Sequence, residues 1–170
     1  MPHVGDAATA RAAVKAVRYP PLGERGMAAG SRAADFGKIP LIEHMAQSNR
    51  EILLACMIEY MAAVERIDAI AAVEGVDLLA VGPSDLSRSL GVRGQTDHPT
   101  LVAAIDRVRK AVKEGAGARV ALPLDHAAFP RDAAQLKALG AGYTNCAPSP
   151  EVRLLRSFQD QAAERRRLLG

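Results

Sequence analysis

Two acidic residues stand where an α/β protein can do chemistry. Glu59 follows the apolar run ILLACMI at 52–58, and Asp85 follows the run at 77–81, inside Gly82-Pro83-Ser84-Asp85-Leu86-Ser87. Short apolar runs bounded by turn residues predict buried strands. Functional groups of α/β proteins gather at the carboxyl ends of such strands. Between the two runs, residues 61–73 carry Val64, Ile67, Ile70, Ala71 and Val73 at helical spacing. The unit reads as strand, Glu, helix, strand, loop, Asp, a right-handed crossover that brings both carboxylates to one rim. Two hard oxygen ligands without a thiolate or imidazole cluster suit Mg²⁺ or Mn²⁺ better than zinc. The plain alternative is that Asp85 caps a turn, beside Ser84 and Ser87 with their similar taste for local hydrogen bonds.

Other side chains invite a chemical reading. His126 follows Asp125 after the strand expected at 119–123. A His beside an Asp at a strand end can work as an acid–base pair; a capping Asp and a loop His is the plainer reading. Arg25 sits in a glycine-rich loop at 22–30, from which a cation could meet a substrate carboxylate at the rim. A surface salt bridge is its alternative. His44 falls on a helix and is read as a surface residue. Cys56 and Cys146 lie in apolar runs and are read as buried free thiols, with no CxxC site.

The elements that must position these groups follow from periodicity. Strands are expected at 52–58, 77–82, 119–123 and 142–147, with a strand stub at 1–4. A first helix, capped by Asp6 or Thr9, runs to Val17, where Pro20-Pro21 forbids helix. Residues 31–36 form a helical turn, 41–49 a helix, and 82–87 a loop. The helix at 100–113 packs through Leu101, Ala104, Ile105, Val108 and Val112. A helix covers 130–139, and a terminal helix at 151–168 carries the stripe Val152, Leu155, Phe158 and Ala162. Strands alternating with helices predict a parallel sheet in a single domain, 1–170.

Composition narrows the function classes. Aromatic residues are 4% with no Trp, and net charge is +3 on 170 residues. That leaves little to stack bases and no concentrated basic face, so nucleic acid is not expected as a partner. The run Arg165-Arg166-Arg167 reads as a solvated helix face. No apolar run approaches a membrane span and no signal pattern is present, so a soluble, cytoplasmic protein is expected.

Four stretches together resemble the HpcH/HpaI aldolase (aldolase/citrate lyase) family. They are RYPPLGERG at 18–26, the pair Ile58-Glu59, IAAVEGVDLLAVGPSDLS at 70–87 and GVRGQTDHP at 91–99. The resemblance implies an α/β fold of the (β/α)₈ TIM-barrel type. It also implies retro-aldol cleavage of a 4-hydroxy-2-oxo acid to pyruvate and an aldehyde, through an enolate stabilised by a divalent metal. Glu59 and Asp85 would hold that metal, Mg²⁺ or Mn²⁺, with Co²⁺ also admitted. Ser84 and Pro83 would bind the pyruvate carboxylate through the local backbone, and Leu124 would wall the site. Arg25 and His126 are the catalytic candidates left in this chain. Met57 and Tyr60 depart from the Gln and Thr/Ser common at those positions. The family's first three strands and most of its fourth, about 90 of the roughly 250 residues of a barrel, have no counterpart here. They carry the family's catalytic histidine and substrate-orienting arginine, so weak activity is expected. The alternative is an inactive remnant that depends on an oligomer or partner. A homo-oligomer is expected because the family's C-terminal helices pack against a neighbouring subunit. A citrate-lyase-type reaction would share the metal pair, but no basic cluster near the rim argues for a coenzyme A pocket.

Overall fold

Each strand among the described residues is three or four residues long. In the computed structural model, which describes residues 1–114, 117–124, 126–130, 132–145 and 148–169 (113 and 114 by backbone only), the strands are β1 Ala55–Ile58, β2 Leu78–Val81, β3 Arg119–Ala121 and β4 Ala141–Tyr143. They form one parallel sheet in the order β1-β2-β3-β4. Sequential parallel order with helical crossovers is the pattern of a barrel segment. Ile58 pairs with Val81 as the last rung of β1 and β2, so Glu59 and Gly82 are neighbours at the carboxyl rim.

The helices follow from their caps and stripes. Helix α1, Ala7–Val17, starts where the Asp6 carboxylate accepts the Thr9 N–H at 2.7 Å. After a 3₁₀ turn at Arg32–Gly37 come α2 Leu41–Glu51, α3 Met61–Glu65, α4 Ile67–Ala71, α5 Pro83–Ser89, α6 Pro99–Glu114, α7 Ala133–Ala138 and α8 Pro150–Leu169. Ile67 and Ile70 of α4 and Leu101, Ala104, Ile105 and Val108 of α6 are buried with Cys56, Ile58, Leu79 and Val120 of the sheet. Each large side chain so buried stabilises the fold by roughly 1.5–3 kcal/mol. Burial pushes the Cys56 thiol above its ordinary range. Among the described residues, no helix is long and apolar enough to cross a membrane.

Several expectations are corrected. The strand expected at 52–58 is trimmed because Ile52 caps α2 and the Leu54 N–H is taken by Asp77. The helix expected over 61–73 breaks at Arg66 (φ −105°, ψ 16°) into α3 and α4. The loop expected at 82–87 is instead the start of α5, with Pro83 in its first turn. Asp132 caps α7 and so delays it relative to 130–139. The strand expected at 142–147 begins at Ala141 and ends at Tyr143; Cys146 lies outside the described residues. Residues 1–4 form no assigned strand, yet Met1 donates to the Ala55 carbonyl and accepts from the Met57 N–H at 2.7 and 2.9 Å, along the outer edge of β1. His44 is buried, with its ring edge-on to Tyr19, rather than on the surface. The stripe of α8 is exposed: no residue of that helix is buried.

One polar hub ties the amino ends of the strands. The Arg18 guanidinium, buried, donates to the carbonyls of Asn49 and Ile52 and to Asp77 Oδ2 at 2.6 Å. The same Asp77 oxygen accepts the Leu54 N–H at 2.7 Å. Charge-assisted bonds of this kind keep a buried cation from being an uncompensated cost.

Candidate active site

Strand β1 delivers Glu59 to the rim by ending one residue before it, and the side chain is buried. Its Oε1 accepts the backbone N–H of His3 at 2.7 Å, and the His3 ring Nδ1 lies 3.2 Å from the same oxygen. His3 has φ +57°, a left-handed backbone that costs a non-glycine residue about 1–2 kcal/mol. Its N–H bond to the Glu59 carboxylate sets against that cost. The Tyr60 hydroxyl donates to the His3 carbonyl at 2.8 Å. A Cβ on Gly5 would stand 2.6 Å from that hydroxyl, so only glycine leaves Tyr60 its place.

Gly82 closes β2 against the same carboxylate. A Cβ there would meet Glu59 Cβ at 3.1 Å and Oε2 at 3.6 Å. The second Glu59 oxygen therefore faces the turn that carries Pro83, Ser84 and Asp85. Asp85 lies in the first turn of α5, exposed, with Oδ1 3.3 Å from the Arg88 guanidinium. The structure thus brings Glu59 and Asp85 to adjacent strand ends, as the spacing predicts. The donor set fits a hard divalent cation in part. It consists of two carboxylates, one held by a backbone N–H and one paired with Arg88 at the surface, and no group of three or more His, Cys, Asp or Glu forms a cluster among the described residues. Mg²⁺ characteristically binds through one or two carboxylates and completes its shell with water or substrate.

The end of β3 closes the other side. Leu124 donates its N–H to the Asn145 side chain at 2.9 Å, which ties it to the end of β4. His126 Nε2 lies 3.2 Å from Ser84 Oγ, and its Nδ1 accepts the Ala128 N–H at 3.1 Å. Partial burial lowers the His126 pKa and favours the neutral ring. With Nδ1 accepting, the ring proton belongs on Nε2, so neither nitrogen keeps a free lone pair for base catalysis. Asp125, the expected acid–base partner, lies outside the described residues.

Arg25 goes elsewhere. Its N–H donates to the Arg18 carbonyl at 2.9 Å, and its guanidinium lies over the Tyr19 ring, 4.7 Å from the centroid. Arg18 is anchored to Asp77 and Ile52, which precede their strands, so Arg25 belongs to the amino end of the sheet, opposite the carboxylate rim. A cation–π seat takes the place of both the rim position and the surface salt bridge.

His3 and the Ser84–His126 contact were not foreseen. His3 could have been found by the logic that found Glu59, as a polar residue at the end of a strand stub. The Ser84–His126 contact joins residues 42 positions apart and leaves no local signal.

Comparison with known proteins bears on the family and the fold. The HpcH/HpaI aldolase/citrate lyase family matches residues 1–148. A pyruvate aldolase of Rhizobium etli is 47% identical over 106 residues, covering 62% of this chain and 41% of that protein. A 2-keto-3-deoxy-L-rhamnonate aldolase of Salmonella schwarzengrund is 44% identical over 118 residues, 66% of this chain and 43% of that protein. The chain therefore spans less than half the length of these relatives. The crystal structure of a family protein from Burkholderia cenocepacia J2315 superposes with TM-score 0.79 at 32% identity, covering 98% of this chain and 63% of the other. One from Desulfitobacterium hafniense DCB-2 gives 0.77 at 33%, covering 96% and 61%. The chain belongs to the HpcH/HpaI aldolase/citrate lyase family, and its four-stranded parallel sheet is part of that family's α/β barrel.

Proposed function

We propose that this rim is the metal- and pyruvate-binding part of a class II aldolase that cleaves a 4-hydroxy-2-oxo acid to pyruvate and an aldehyde. The observation that carries the reading is that Glu59, just past β1, and Asp85, in the first turn of the helix that follows β2, stand at the carboxyl ends of paired strands, with Gly82 packed closely against Glu59. Mg²⁺ or Mn²⁺, when bound, supplies Lewis acidity toward the keto oxygen and the enolate charge. Glu59 and Asp85 hold the cation, and the His3 N–H keeps Glu59 in one orientation. The first turn of α5 leaves the N–H groups of Ser84 and Asp85 without helical partners, and these bind the substrate carboxylate. Pro83 fixes the start of that turn, and Leu124 walls the pocket. In the reaction the 4-hydroxyl loses its proton, the C3–C4 bond breaks, the aldehyde leaves, and the enolate takes a proton at C3. The 4-hydroxyl proton goes to water in this scheme, since His126 is committed at both nitrogens.

The relatives' names point to 2-keto acids of this kind. The buried free thiol of Cys56 fits a reducing, cytoplasmic setting. A second reading, a remnant that works only in an oligomer or with a partner, is favoured by α8, whose Leu154, Leu155 and Phe158 are exposed.

The test is pyruvate release from 4-hydroxy-2-oxoheptanedioate and from 2-keto-3-deoxy-L-rhamnonate by the purified chain, with Mn²⁺ or with EDTA. Metal-dependent release, lost in Glu59→Gln and Asp85→Asn together with Mn²⁺ binding, is the expected result. Stoichiometric Mn²⁺ binding by the double variant would overturn the metal assignment. Absence of release by a folded, Mn²⁺-loaded chain would leave the remnant reading.

A further inference from the structure

Ser84 and His126 come from different strand ends, yet they meet at 3.2 Å on the rim. The His126 ring is held on two sides. Nδ1 accepts the Ala128 N–H at 3.1 Å, and the ring packs against Phe129 with centroids 6.3 Å apart. Phe129 belongs to the buried core, so the ring is anchored to a rigid part of the fold. An Nδ1 that accepts leaves the proton on Nε2, and Nε2–H then donates to Ser84 Oγ. A hydroxyl that accepts one hydrogen bond still has its own hydrogen to give. Ser84 Oγ has no second partner among the described residues, whereas the Ser87 hydroxyl is spent on the Ser84 carbonyl at 2.8 Å.

We propose that His126 is a positioning residue: by donating to Ser84 Oγ it reserves the Ser84 hydroxyl hydrogen as a donor for the carboxylate of the bound 2-oxo acid. The inference rests on the reading of this rim as a 2-oxo acid site. Its consequence is selectivity. An ionised carboxylate accepts the hydroxyl strongly, whereas an ester or amide at the same place is a weaker acceptor. Without the imidazole, the hydroxyl rotates freely and shares its hydrogen with water.

The test uses the full chain with Mn²⁺ and pyruvate, followed by calorimetry, and the ring ¹⁵N shifts of His126 without ligand. His126→Leu should raise the pyruvate dissociation constant about tenfold, in line with the loss of one charge-assisted hydrogen bond, while Mn²⁺ affinity moves less than twofold. His126→Gln, whose amide can donate in place of Nε2–H, should recover most of the loss. Ser84→Ala should match His126→Leu, and the double variant should be no worse than either alone. The ring shifts should report the Nε2–H tautomer and move in Ser84→Ala. Undiminished pyruvate binding in His126→Leu, additive losses in the double variant, or an Nδ1–H tautomer would each overturn the proposal. If the wild-type chain shows the Nε2–H tautomer but no Mn²⁺-dependent pyruvate binding, the 2-oxo acid site itself is wrong, and the ligand assigned to Ser84 falls with it.

Discussion

In the proposed metal site, Arg88 and a divalent cation would compete for the Asp85 carboxylate. The guanidinium lies 3.3 Å from Asp85 Oδ1, on the next turn of α5, and both side chains are exposed. A pair in that setting contributes little to stability, of the order of 0–1 kcal/mol, yet it engages the carboxylate that the proposed function assigns to the metal. Arg88→Ala should therefore tighten Mn²⁺ binding about two- to fivefold, with an unchanged melting temperature; calorimetric titration beside thermal denaturation checks both. An unchanged or weaker Mn²⁺ affinity would mean that Asp85 does not ligate. At this scale the carboxylates were legible because strand-end position is a local property. Arg25 was not. Its glycine-rich loop allowed a place at either end of the sheet, and the Tyr19 ring and the Arg18 carbonyl drew it to the amino end.

Arg18 acts one scale up, on the strands as a pair. Its guanidinium joins the Ile52 carbonyl ahead of β1 to Asp77 ahead of β2, while Asp77 also accepts from Leu54. Asp77→Ala would leave the buried guanidinium without its counter-ion. The expected loss is about 3 kcal/mol, the low end for breaking a buried pair because Asp77 is partly exposed; urea denaturation monitored by circular dichroism measures it. A loss under about 1 kcal/mol would show that the carbonyl partners suffice. The crossover that sets β1 beside β2 was legible from alternating apolar runs. The break at Arg66 was not, because periodicity continues across it while the backbone does not. The start of α5 was likewise hidden: Gly-Pro-Ser-Asp favours a turn and a helix entry alike, and the packing of Leu86 into the core decides for the helix.

At the scale of the whole molecule, α8 stands out for its exposed apolar side chains. Leu154, Leu155 and Phe158 are each more than half exposed on a 20-residue helix with no buried residue. Apolar area in that state favours association. The chain should sediment as a concentration-dependent oligomer, and the double substitution Leu155→Glu and Phe158→Glu should shift it to monomer with its far-ultraviolet circular dichroism intact. A wild-type monomer at high concentration would remove this role for α8. Local sequence was enough for the alternation of strand and helix, for a helix start at Asp6 or Thr9, and for the strand ends that lead into Glu59 and toward Asp85. All of these rest on interactions within a few residues along the chain. The Arg18–Asp77 hub, the seat of Arg25, the His3 N–H on Glu59, the Ser84–His126 contact and the exposure of the α8 stripe came from the folded arrangement. Each of those depends on which distant segment arrives beside a residue, and periodicity, which records only which face is apolar, carries no information about the partner that covers it.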